Sequence, residues 1–173
     1  MLSKIGLAVM VTALVGCSSM QVAEDELPIK AEFMGGKVVV VYDKEGRLES
    51  IESTSTARVV SSLPNAVDES FIVATLKARN QIAEFMNVDV ESEKFVDTVF
   101  DSLQTAENAS TNKNQNIARK VQNNIRQKTT AILKGTFVSK KDFDSSTRTV
   151  SVTVSSSERE IAAAKRLQTL MAR

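Results

Sequence analysis

Thr149-Val150-Ser151-Val152-Thr153-Val154 alternates hydroxyl and apolar side chains without a break. A period of two sends Val150, Val152 and Val154 to one face of an extended strand and Thr149, Ser151 and Thr153 to the other. Such a strand has a core on one side and water on the other. Before it, Ala131-Ile132-Leu133-Lys134-Gly135-Thr136-Phe137-Val138 has strand character and Asp142-Phe143-Asp144-Ser145-Ser146-Thr147 is rich in turn formers, so Ile132 to Ser155 is predicted as a hairpin. After it, Ser157 and Glu160 have capping-box spacing and open a helix carrying Ile161, Ala164, Leu167, Leu170 and Met171.

Upstream, Lys37 to Tyr42 is a β-rich apolar run stopped by the turn formers Asp43-Lys44-Glu45-Gly46, and Arg47 to Ser61 reads as a longer strand. Together they predict a second hairpin. Its hydroxyl run Ser53 to Thr56 reads as an exposed or edge face, with a recognition patch as the alternative. Pro64-Asn65 ends the strand. Asn65 is a good N-cap, and Asp68 and Glu69 place negative charge in the first turn of a helix. Phe71, Ala74, Thr75, Ala78, Ile82, Phe85 and Met86 recur at helical spacing as a core stripe, and Ala74 and Ala78 allow close approach. Ile72, Val73 and Leu76 broaden that stripe, which predicts a helix between a sheet and another surface. A second helix is predicted over Ser92 to Thr105, with Phe95, Val96, Val99, Phe100 and Leu103. After the polar stretch Asn108 to Asn112 a third carries Ile117, Val121, Ile125 and Ile132 on an Asn/Gln-rich cylinder. The order ββαααββα predicts an α+β domain: two hairpins in a mostly antiparallel sheet with three to four helices packed on it.

The chain has 22 basic and 21 acidic residues, a balance that gives no sign of a nucleic-acid binder. It has no His, no Trp and one Cys. The commonest general base and metal ligand are therefore missing, as are Ser-His-Asp and Cys-His arrangements and any internal disulfide. Zinc would lack its preferred ligands, and the alternating spacing of a calcium loop does not occur. Gly35-Gly36 and Gly135 are isolated, so no phosphate-cradling loop is predicted. The carboxylates Glu91 and Glu93, or Asp97 and Asp101, offer acid/base pairs in principle. Asp97 and Asp101 lie one turn apart beside Lys94, equally the pattern of a solvated face. No catalytic residue, metal or cofactor is expected.

Charge is divided along the chain. Glu84, Asp89, Glu91, Glu93, Asp97, Asp101 and Glu107 stand against Lys94 alone, while Thr111 to Lys141 contains no acid. Either the two helices neutralise each other side by side, or the basic face, with Arg119, Lys120, Arg126 and Lys128, meets a polyanion or another copy's acidic face.

At the N-terminus, Lys4 precedes an apolar run from Ile5 to Val15, the length and polarity of an export signal and too short for a permanent span. Leu14-Val15-Gly16-Cys17 resembles the lipobox of bacterial lipoproteins. The resemblance implies cleavage between Gly16 and Cys17, a diacylglycerol on the Cys17 thiol and an acylated α-amine. Several acyl chains hold a protein on a membrane where one does not. A buried or free thiol is the other reading of Cys17. Ser18, where an Asp would favour inner-membrane retention, implies the outer membrane in a two-membrane cell. The expected organisation is a signal peptide over 1–16, a lipidated tether over 17–36 and one domain over 37–173. A first strand or short helix packed on the domain is the alternative for 18–36.

The lipobox and tether, the helix segment Ala74-Thr75-Leu76-Lys77-Ala78-Arg79-Asn80-Gln81-Ile82-Ala83 and the strand ending Thr149 to Val154 are together similar to the bacterial twenty-kilodalton surface lipoprotein family. That family includes FlgP-like lipoproteins of the flagellar basal body. The likeness spans about Arg47 to Val154, and the Asn/Gln-rich third helix departs from it. It implies a non-enzymatic structural component of an outer-membrane assembly, anchored on the periplasmic face, acting by self-association or through other envelope proteins. The alternative is a periplasmic module using the basic face to hold a ligand, peptidoglycan or lipopolysaccharide.

Overall fold

In the computed structural model, which describes residues 28–106 and 111–171, the alternation of Val150, Val152 and Val154 places all three in the core with no exposed surface. The elements are β1 (Ile29–Phe33), β2 (Val38–Tyr42), β3 (Leu48–Arg58), α1 (Ala66–Asn87), α2 (Glu93–Ala106), α3 (Thr111–Lys134), β4 (Phe137–Asp144), β5 (Thr149–Ser157) and α4 (Glu158–Met171). The strands form one sheet in the order β1-β2-β3-β5-β4, each neighbouring pair antiparallel. The class is α+β, as the patterning predicts.

The expected order needs a correction at its start. Residues 29–36, assigned above to the tether, are β1 and a turn, so a first strand packed on the domain is what forms there. Ile29-Lys30-Ala31-Glu32-Phe33 alternates buried and exposed residues, the same period of two in a shorter run. Met34, Gly35 and Gly36 all have positive φ, and the Gly36 N–H donates to the Phe33 carbonyl at 3.1 Å, so the glycines close a hairpin into β2. The first predicted hairpin is thus part of a three-stranded meander. The two predicted hairpins then join through β3 and β5, with Ser53 beside Val154 and Ala57 beside Val150.

Ala131 to Lys134 also differ, ending α3 rather than starting a strand. Ala131 and Ile132 continue the buried stripe of Asn114, Ile117, Ala118, Val121, Gln122 and Ile125. Gly135, whose N–H donates to the Ala131 carbonyl at 2.8 Å, stops the helix. Strand β3 stops at Arg58 rather than Ser61, and β4 runs on to Asp144. Asn65 precedes α1 but makes no side-chain cap; its Nδ2 donates to Glu69 Oε1 at 2.9 Å. Ser157 and Glu160 meet directly, hydroxyl to carboxylate, at the start of α4.

Helices cover one face of the sheet. Ser53 and Ser55 on β3 and Ala74 and Ala78 on α1 are all buried, so little side-chain thickness separates helix and sheet. The hydroxyl run is therefore split on a central strand. Ser53 Oγ donates to Gln81 Oε1 at 2.8 Å beneath α1, while Thr54 and Thr56 lie on the open face, Thr54 2.9 Å from the Thr153 hydroxyl. Phe33, Phe85 and Phe95 join β1, α1 and α2, with centroids 5.0 Å, 5.0 Å and 6.1 Å apart. Helix α3 clasps the β2–β3 turn: Lys120 Nζ donates to the Glu45 carbonyl at 2.6 Å and Asn124 Nδ2 to that of Gly46 at 2.9 Å.

Candidate interaction surface

Helix α1 is apolar on two sides. Its inner stripe, Ala74, Ala78, Ile82, Phe85 and Met86, is buried against the sheet. Its outer flank keeps Ile72 60% and Leu76 54% exposed, with Val73 beside them. Sheet and α3 cover the inner side, and among the described residues nothing covers this flank. The second surface that the broadened stripe predicts is therefore open.

Strand β4 lies next to it, at the edge of the sheet. Its register with β5 puts Val138, Lys141 and Phe143 on the helix side and Lys140, Asp142 and Asp144 on the open side. Helix α1 packs on β3 and β5, one strand short of β4. A groove of about 400 Å³ remains between helix flank and strand, walled by Phe71, Ile72, Leu76 and Val138. Lys141 crosses it, its Nζ 5.5 Å from the centre of the Phe71 ring. A separate hollow of about 290 Å³ lies at the start of α1, lined by Ala57, Val60 and Val73 together with Arg58 and Glu69, and Leu63 is also exposed. The outer backbone of β4 has no strand beside it among the described residues, and a bulge at Ser139 interrupts its pairing. Exposed apolar side chains beside a free strand edge are what protein partners bind.

The basic residues of the sequence argument are dispersed. Lys120 is held by the Glu45 carbonyl, Arg126 pairs with Glu91 at 2.7 Å, and Lys128 stands 3.9 Å from Glu158. Arg119 lines a polar cleft of about 240 Å³ with Arg126, Gln122, Asn123 and Glu93. The Arg126–Glu91 pair shows the acidic and basic blocks meeting within the chain, at an exposed site where such pairs contribute little. Glu91 and Glu93 are thereby tied to this cleft, and Asp97 and Asp101 are exposed on α2. Gly16 and Cys17 lie outside the described residues.

Two carboxylates are perturbed, both in turns. Burial pushes Asp43 upward, but hydrogen bonds from the Arg47 and Glu45 backbone and the Arg47 guanidinium hold it below the ordinary range. Asp144 is pulled down to about 2 by the Ser146 and Thr147 hydroxyls and N–H groups. Burial raises the Tyr42 phenol, whose OH donates to the Val99 carbonyl at 3.2 Å. Each of these fixes a turn or a helix in place. Among the described residues no group of three or more His, Cys, Asp or Glu could hold a metal, and no helix is long and apolar enough to cross a membrane.

The flank Ile72-Val73-Leu76 is legible in the sequence as excess apolar character on α1; the part of β4 is not, because Val138 reads only as a strand residue and Phe143 as part of a turn. No protein-family model, no curated protein and no solved structure matches this chain.

Proposed function

We propose that the chain is a non-enzymatic, lipid-anchored protein of the bacterial outer membrane that works by protein–protein contact, as a structural component of an envelope assembly such as a flagellum-associated collar. The observation that carries the contact role is the uncovered apolar flank of α1 beside the free edge of β4. The lipobox-like Leu14-Val15-Gly16-Cys17 supports the anchor, and the family resemblance supports the collar. In cells, the full-length protein should enter the detergent phase on Triton X-114 partitioning and cross-link to itself or to envelope neighbours. Globomycin or Cys17→Ser should block processing and anchoring. A Cys17→Ser protein that still partitions into detergent and is processed normally would sink the anchor.

A second reading rests on the polar cleft of Arg119, Asn123 and the Glu91-paired Arg126, with Glu93 beside them, which offers cations and an amide to a wall polymer or lipopolysaccharide. Pull-down on purified peptidoglycan or lipopolysaccharide, lost when Arg119 and Arg126 are reversed in charge, would favour it over the contact role.

A further inference from the structure

The two edges of the sheet are not equally open. Helix α2 packs on β1, with Phe95 stacked 5.0 Å from Phe33, so a second sheet approaching there meets a helix. Among the described residues no helix stands over β4, because α1 is set back across β5. Among the described residues, β4 is the edge at which another sheet can come alongside with its own helices on the same side.

We propose that β4 pairs antiparallel with β4 of a second copy about a two-fold axis through Lys141, making one continuous sheet. The proposal rests on the contact role given above and names its partner. Charge selects the copy and the register. On the open face, Lys140 of each chain stands opposite Asp142 of the other, giving two ion pairs in an isologous contact. With Asp142 on the axis instead, Lys140 would still meet Asp144 twice, but Asp142 would oppose its own copy on the same face, and like charges directly opposite are destabilising. On the helix face the axis brings Lys141 opposite Lys141, but each ammonium is already drawn over its own Phe71 ring. The lysines and the Ser139 bulge, which protect the edge from unselective pairing, thus leave one register in which every charged pair on the open face is of opposite sign. The grooves of the two copies then join, with Ile72 and Leu76 of each facing across a floor of Val138 and Lys141.

The test uses the full-length, membrane-anchored chain. Residues opposite each other in an antiparallel pair have Cα atoms about 5 Å apart, within disulfide reach. Lys141→Cys should therefore give a disulfide-linked dimer on mild oxidation, and Glu84→Cys on the body of α1 should not. In the Lys141→Cys background, Lys140→Asp alone or Asp142→Lys alone should lower the dimer yield several-fold, and the two together should restore it, which also shows that the variants fold. Absence of a disulfide-linked dimer of the Lys141→Cys protein, or a double exchange no better than the single ones, overturns the pairing. A disulfide adduct of the Lys141→Cys protein with a different polypeptide overturns the second copy as the occupant. A Lys141→Cys protein that stays anchored and cross-links to envelope neighbours while forming no dimer would overturn the pairing and leave the contact role intact.

Discussion

Gly46 carries two demands at one Cα. Its φ of +74° lies in the left-handed region, and a Cβ there would meet Ile117 Cγ2 and O at 3.2 Å and Val121 Cγ2 at 3.3 Å. The turn can be read from Asp43-Lys44-Glu45-Gly46; that α3 lies directly on it cannot, because the contact joins segments far apart in the chain. Gly46→Ala should lower stability by about 1–3 kcal/mol in denaturant melts. Asn114 is the opposite case. It sits in the core stripe of α3, 1% exposed, and neither Nδ2 nor Oδ1 has a hydrogen-bond partner among the described residues. Leu has the same branched shape without the unmet polar atoms. Asn114→Leu should therefore stabilise the fold by about 1–3 kcal/mol, and loss of stability would show that the amide has a partner. For Asp144 the sign follows from its lowered pKa. The carboxylate supports the fold above the unfolded-state value of about 3.9 and the support is lost as pH falls to about 2. Asp144 is fully exposed, so the effect is small. Thermal midpoints from pH 5 to pH 2 should fall more for the native protein than for Asp144→Asn, which does not titrate.

At the scale of elements, helical periodicity carries most of what the sequence reveals. The inner stripe of α1 and the buried Phe95, Val99 and Leu103 of α2 are the residues that the spacing picks out. Strand β1 is harder because its five residues, Ile29–Phe33, give a period of two little room between Pro28 and the Met34-Gly35-Gly36 turn, so composition suggests a tether. Ala131 to Lys134 mislead because apolar β-formers at the end of a helix look like the start of a strand until Gly135 breaks it. On α1 the same periodicity overshoots the needs of folding, and the excess, Ile72 and Leu76, is what remains in solvent. Leu76→Glu should therefore leave stability within about 0.5 kcal/mol of the native protein, since the site is exposed. It should nonetheless reduce cross-linking in the membrane. A large drop in the melting midpoint would mean instead that Leu76 packs within its own chain.

Over the whole molecule, the sheet is closed by its most distant partners. Thr54 and Thr153 bond across 99 residues, and the β3–β5 pair that contains them joins the meander to the last hairpin. The chain between them supplies α1, α2, α3 and β4, so the sheet is not complete until the two ends of the chain meet. This follows from strand order, which local patterning does not specify: the alternation at Thr149–Val154 predicts a half-buried strand and the turn before it predicts the pairing with β4, but neither says that its other neighbour is β3. Cooperative opening should be deepest where both edges of a strand are paired and helices pack on it. In native-state hydrogen exchange, the amides of Val150, Val152 and Val154 should therefore open only with global unfolding. Those of β4 that point outward should exchange quickly in dilute protein and gain protection at Lys140 to Asp142 as concentration rises. Slow exchange along the whole of β4 at every concentration would mean that its outer edge is already occupied within a single chain, and the edge would then be no surface for a partner.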